Sequence, residues 1–207
     1  NPTGGVWSDN AIKKTLNIAS KNNLWVFSDE CYEQLVYDEN FKSIATFTNN
    51  VDRILTFQSC SKTYAMTGWR IGYTAGDPAI IKAMSKLQGQ STSCPNSIAQ
   101  YAAIEALSNN RSWFDEKMKN VNINRELWME TLNDFEIPFG ESQGAYYICF
   151  DISKYKKNSK SVSQELRDKH KLIINSQDEK YLRASFMQDT DTLKIGLNKL
   201  REYFKKI

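Results

Sequence analysis

Histidine is nearly absent: the 207 residues contain one, His170. It lies in the charged run Arg167-Asp168-Lys169-His170-Lys171, away from any cysteine, which argues against a Ser-His-Asp triad or a Cys-His pair. Cysteine is sparse too. Cys31, Cys60, Cys94 and Cys149 form no C-x-x-C pair, so no metal site is expected. Isolated cysteines within apolar segments suit small buried side chains in a reducing compartment. No apolar run approaches the roughly 20 residues that cross a bilayer, and no signal-peptide pattern opens the chain. A cytoplasmic protein without a membrane partner is the expectation. The net charge is only +3 and the lysines are scattered, so nucleic acid is not expected as a partner either. Lysine, tyrosine and carboxylates remain for acid–base chemistry.

What is present is ordinary globular material. The hydrophobic fraction of 41% and charged fraction of 25% exclude whole-chain disorder, and the length fits one domain or two small ones. Ser8 reads as an N-cap, and Ile12, Leu16 and Ala19 predict a helix from about Asp9 to Lys21. Leu24–Phe27 and Ile54–Phe57 are unalternated apolar runs, the pattern of strands in a parallel sheet with helical crossovers; Arg70–Gly76 is a third candidate. Ala79–Leu87 and Ile98–Leu107 read as helices around a loop at Gly89–Asn96. Phe114, Met118, Val121, Trp128 and Leu132 mark a long amphipathic helix. Beyond Pro138 and Gly140, Tyr146–Phe150, Leu172–Ile174 and Leu182–Phe186 are strand-like, Lys154–Ser163 reads as a polar loop, and Leu193, Leu197, Leu200 and Phe204 mark a closing helix. The fold class expected is α/β: residues 1–110 carry a mostly parallel sheet with helices, and 111–207 a smaller α+β unit.

The chemistry gathers after the apolar runs, where ligands of open α/β sheets bind. Ser59-Cys60-Ser61-Lys62 follows the second run and Arg70 lies just beyond. A lysine in such a turn is, by itself, an ordinary solvated residue. Here the intervening Thr63–Trp69 carries no charge, so the amine can be partly desolvated and made nucleophilic. Ser59 and Arg70 offer a hydroxyl and a guanidinium fork to one phosphate. Asp29 lies just beyond the first run, after Ser28, either as a cap or as an acid facing a cationic partner such as a pyridine nitrogen. Tyr32 either packs in the core or hydrogen-bonds a ring oxygen.

Four segments occur in order: Asn1-Pro2-Thr3-Gly4; Ser28-Asp29-Glu30 with Tyr32-Glu33; Ser59 to Tyr73; and Ser91 to Gln100. Together they resemble the class I aminotransferases of pyridoxal-phosphate fold type I, most closely the prokaryotic-type aspartate aminotransferase subgroup. The resemblance runs over residues 1–153 and resumes at 181–187. It implies pyridoxal 5′-phosphate as cofactor, bound covalently by Lys62, which also moves the substrate's Cα proton. It further implies Asp29 at the pyridine nitrogen, Asn1 and Tyr32 at the phenolic oxygen, and Ser59 and Arg70 at the phosphate. Arg183 would grip the substrate α-carboxylate, with Asn1 beside it. The reaction implied is amino transfer between an amino acid, aspartate in the first instance, and a 2-oxo acid such as 2-oxoglutarate, in a homodimer. An aromatic, alanine or prephenate aminotransferase is the alternative within enzymes, and the ligand-sensing domain of a transcription regulator the alternative outside them. Since the chain opens inside the Asn-Pro-Thr-Gly turn without a Met, it reads as the C-terminal part of a longer protein whose upstream half supplies a phosphate-cradling turn and a ring-stacking aromatic. One departure stands out: Asn175–Lys180 is shorter than the loop in relatives and lacks its Pro-Gly and Phe-Gly.

Overall fold

A computed structural model describes residues 1–37, 41–109 and 112–207. The chain forms two compact units, Trp7–Phe114 and Asp115–Ile207, the latter joined by Asn1–Val6. The domain boundary expected at residues 110 and 111 lies outside the described residues.

In the first unit, helix α1 (Asp9–Lys21) starts where Ser8 accepts a hydrogen bond from Ala11 N. Its apolar stripe packs Ile12 and Leu16 against Val26, Ile44, Phe47 and Ile54. Strand β1 (Val26–Asp29) begins two residues later than the apolar run suggests, since pairing with the next strand starts at Val26, opposite Ile54. Strand β2 (Ile54–Ser59) runs parallel to it, pairing Asp29 with Phe57. A single helical turn, α2 (Cys60–Thr63), and a 3-10 turn (Thr67–Trp69) lead into β3 (Gly72–Gly76), which pairs with β2 antiparallel. The sheet is therefore mixed, in the order β1-β2-β3. The twelve-residue link Cys60–Ile71 is folded into these two short turns, and it returns the chain beside β2 with Ser59 opposite Gly72. The strands come so close at Gly72 that a Cβ there would lie 2.5 Å from the Gln58 carbonyl oxygen. Helices α3 (Pro78–Ser91) and α4 (Ser97–Ser108) follow, and α3 takes in the first three residues of the expected Gly89–Asn96 loop. Asp77 and Asn96 cap them through their side chains.

Helix α5 (Ser112–Asp134) supplies the second unit with Val121, Trp128 and Leu132. The sheet there is antiparallel in the order β4-β6-β5, built from β4 (Tyr147–Asp151), β5 (Asn175–Ser176) and β6 (Tyr181–Ser185). Phe150, Ile148, Leu182 and Phe186 are fully buried, with the Trp128 ring 5.8 Å from Phe150. Helix α7 (Thr190–Phe204) turns Leu193, Leu197, Leu200 and Phe204 inward.

Two expectations need correction in this unit. Part of the supposed Lys154–Ser163 loop is the start of helix α6 (Ser159–His170), capped by Asn158 and seated through Val162 and Leu166. Ser159 and Ser163 are buried as well, bonding Ser176 Oγ and the Ile174 carbonyl, so this helix packs on serines that read as solvent-facing. Leu172–Ile174 is not a strand, and pairing starts only at Asn175. The short 175–180 segment is a tight hairpin. Asp178 Oδ1 accepts from Lys180 N (2.7 Å) and Tyr181 N (2.8 Å), which holds its carboxyl below the usual carboxylate range. Glu179 and Lys180 carbonyls accept from Ser159 N and Ile152 N, stapling the hairpin to the start of α6 and the end of β4.

Candidate active site

Parallel β1 and β2 end side by side, and antiparallel β3 starts at that same edge, with Ser59 opposite Gly72. Topology thus brings residues from three chain segments to one end of the first unit's sheet. Asp29 is the last residue of β1 and is exposed; its Oδ1 accepts from Cys31 N (3.2 Å), so it does cap the turn that follows. Ser59 ends β2, and its hydroxyl oxygen accepts from Ser61 N (3.1 Å). Lys62 stands on the single turn α2, its Nζ 5.7 Å from the centre of the Tyr32 ring.

The Cys31 thiol senses this neighbourhood. Burial first, then a hydrogen bond to Asp29 and the Asp29 charge, push it up to about 12, while the Lys62 ammonium opposes them. Asp29, Lys62, Tyr32 and Cys31 therefore form one electrostatic cluster. Arg70 is placed just before β3 in the left-handed region (φ 53°, ψ 49°), where a non-glycine residue carries about 1–2 kcal/mol of strain. Its Nη1 donates to the Thr67 carbonyl (2.8 Å), and a guanidinium has further N–H groups to offer.

The other two site candidates, Asn1 and Arg183, belong to the second unit. Arg183, on β6, is half-buried and donates through Nη1 to Asn1 Oδ1 (2.9 Å). The Asn1–Pro2 peptide is cis, and Gly4 (φ 74°) docks its carbonyl on Gly144 N (2.8 Å). A side chain at Gly4 would strain that φ and crowd Ser142 and Gly144 at 3.1 Å, which is why glycine ends the Asn-Pro-Thr-Gly turn here.

Two residues escaped the sequence reading. Tyr147, diagonal to Arg183 across the β4–β6 pair, puts its ring 5.1 Å from the guanidinium carbon. Strand alternation could have flagged it, had the register been known. Glu30, 3% exposed, accepts four hydrogen bonds, from Ser28, Ser43, Ile44 and Gln58. Nothing in its spacing announces them. Of the cysteines, Cys60 and Cys149 are buried as expected, whereas Cys94 is exposed.

Residues 1–200 match the family profile described as "Aminotransferase class I and II". An aspartate aminotransferase from Thermotoga maritima is 36% identical over 152 residues, covering 73% of this chain and 40% of the relative. The aspartate/prephenate aminotransferase of Cereibacter sphaeroides is 39% identical over 157 residues, covering 74% and 39%. The crystal structure of an aromatic aminotransferase from Pyrococcus horikoshii OT3 superimposes with a TM-score of 0.92 at 31% identity, covering all of this chain and 58% of its own. The chain spans about half the length of the curated relatives it matches. It belongs to the class I and II aminotransferases, a family that works with pyridoxal 5′-phosphate.

Proposed function

We propose that the protein transfers an amino group between an amino acid, aspartate first, and a 2-oxo acid, 2-oxoglutarate first. The observation that carries this reading is the Asp29–Lys62–Tyr32 cluster at the strand ends, flanked by Ser59 and Arg70. The donor set fits pyridoxal 5′-phosphate: an amine for its aldehyde, a carboxylate for its ring nitrogen, and a hydroxyl and guanidinium for its phosphate. Bound, the cofactor supplies an electron-accepting ring that stabilises negative charge at the substrate's Cα.

The chain's own residues do the rest. Ser59 and Arg70 hold the phosphate end, and Asp29 provides the negative charge that keeps the ring nitrogen protonated. Tyr32 and Asn1 donate to the ring's phenolic oxygen. Arg183 binds the substrate α-carboxylate through its fork, fixing how the Cα–H bond points. The Lys62 amine would carry the proton between the substrate's Cα and the cofactor's C4′, a 1,3-shift for which one base near both carbons suffices. A homodimer in the cytoplasm is the assembly and setting we propose. Among the described residues no helix is long and apolar enough to cross a membrane.

The test is a donor panel on the full-length protein with pyridoxal 5′-phosphate and 2-oxoglutarate: aspartate, phenylalanine, tyrosine and alanine, with prephenate as an added acceptor. Aspartate is expected to give the highest kcat/KM, by roughly tenfold or more, the discrimination one good charged contact supplies. An aromatic preference would move the donor assignment, a reading favoured by the Pyrococcus horikoshii neighbour's name. No transfer from any donor would overturn the activity.

Tyr147 gives a second expected result. Replacing it by Leu removes the ring beneath Arg183, worth about 0.5–2 kcal/mol, so KM for the amino acid should rise roughly 2- to 30-fold with kcat nearly unchanged. Tyr147→Phe keeps the ring and should keep KM. An unchanged KM in the Leu variant would remove Tyr147 from the site.

A further inference from the structure

Glu30 is a carboxylate withdrawn from water at the edge of the candidate site. Its Oε1 accepts from Ser28 Oγ (3.0 Å), Ser43 Oγ (2.9 Å) and Ile44 N (3.1 Å), and its Oε2 from Gln58 Nε2 (3.0 Å). Its own N–H donates to the Phe57 carbonyl (2.8 Å). Ser28 directly precedes Asp29, and Gln58 directly precedes Ser59. One side chain therefore grips both strand ends, each at the residue next to a proposed cofactor contact. Ser43 and Ile44 anchor that grip to the start of the 3-10 turn Ile44–Phe47. A buried carboxylate with both oxygens bonded to donors from three segments is a rigid joint, since shifting any one element strands a polar group away from water.

We propose that Glu30 is a positioning residue that sets the separation between Asp29 and Ser59, and with it the span between the cofactor's ring nitrogen and its phosphate. The proposal rests on the roles assigned above to Asp29 and Ser59. A ligand gripped at two ends gains affinity from the second contact only when the two are held at its own length. A ligand gripped at one end is indifferent to that length. Glu30 should therefore matter for pyridoxal 5′-phosphate and hardly at all for inorganic phosphate.

Gln58 makes the conservative replacement informative. Its Oε1 is buried with no hydrogen-bond partner among the described residues. In Glu30→Gln, the new amide oxygen keeps the three donors that converge on Oε1. Its NH2 group then meets that orphaned Gln58 oxygen, once the Gln58 amide turns over. All four tethers survive without the charge.

The experiment measures affinity of the full-length protein for pyridoxal 5′-phosphate and, separately, for inorganic phosphate by displacement, in Glu30→Ala, Glu30→Gln, Gln58→Ala and Ser59→Ala. In Glu30→Ala the pyridoxal 5′-phosphate affinity should fall roughly tenfold or more, the scale on which ångström misplacement acts, with phosphate affinity unchanged within about twofold. Gln58→Ala cuts only the β2 tether; it should show the same selectivity at smaller size and guards against a Glu30→Ala chain that does not fold. Glu30→Gln should recover most of the loss. Equal losses for the two ligands would reduce Glu30 to a general support of the fold and overturn the proposal, as would no loss, or a Glu30→Gln variant as weak as Glu30→Ala. If Ser59→Ala leaves both affinities unchanged, the reading of the pocket itself falls, and the proposal with it.

Discussion

Lys62→Ala is expected to fold, to keep affinity for pyridoxal 5′-phosphate through Ser59 and Arg70, and to transfer no amino group. Two functions are lost with one amine. The first is the covalent hold on the cofactor. The second is the proton carrier, whose loss alone is worth ~10²–10⁴-fold in rate. Folding should survive because Lys62 is only partly buried, while its neighbours Cys60, Ser61 and Thr63 fill the interior of the turn. The companion measurement is chemical. Borohydride reduction of the full-length protein loaded with cofactor, followed by peptide mapping, should place the label on Lys62. The chain's many other lysines make this a demanding test, and a label on any of them would move the site. Lys62→Arg should be equally inactive, since a guanidinium keeps the charge near Tyr32 but stays protonated and cannot act as nucleophile or base.

Asp29→Asn should be nearly as damaging, with a kcat reduced ~10²–10³-fold, the cost of removing one preorganised electrostatic partner from developing charge. Asn is the informative choice because Asp29 has two candidate roles that this substitution separates. Its Oδ1 caps the turn at Cys31 N, and an Asn oxygen can do the same. Only the negative charge is lost. Cofactor affinity should fall much less than turnover, since the phosphate contacts are untouched. A variant with near-normal kcat would leave Asp29 as a turn cap and nothing more. The Cys31 thiol offers a readout independent of catalysis. Burial, the largest cause of its raised pKa, stays, but the Asp29 charge and its acceptor strength go. Its pKa should therefore drop and its alkylation at alkaline pH quicken.

How much of this was legible in the sequence depends on how far the physics reaches along the chain. Ser59, Lys62 and Arg70 could be read together because one short connection carries all three, and their chemistry advertises an anion and an electrophile. Asp29 stood out because it lies just beyond an apolar run, after Ser28. The direction of β3 did not, since pairing direction is settled by packing of the link from Cys60 to Ile71 rather than by strand composition. Helix α6 was hidden because Val162 and Leu166 are its only large buried apolar residues and the rest of its inner face is serine. The strand expected at Leu172–Ile174 failed for the opposite reason: Ile173 is apolar yet 76% exposed, so composition pointed inward where the chain does not. Glu30 was invisible as a joint, because its tethers come from residues 2, 13, 14 and 28 positions away.

The hydrogen bond between Arg183 and Asn1 joins residues 182 positions apart within one discontinuous unit. During vectorial synthesis the Asn1–Val6 segment leaves the ribosome long before the β4 and β6 strands of its own unit exist, and the whole of Trp7–Phe114 emerges in between. By then every residue of that intervening unit has been made, and the contacts within it can form first. The Asn1 turn must wait for Ser142, Gly144 and Arg183 to be made. The arginine proposed to bind substrate thus meets its asparagine partner only once β6 has been made, so a nascent chain stalled before Arg183 would carry Asp29 and Lys62 without the group proposed to capture an amino acid.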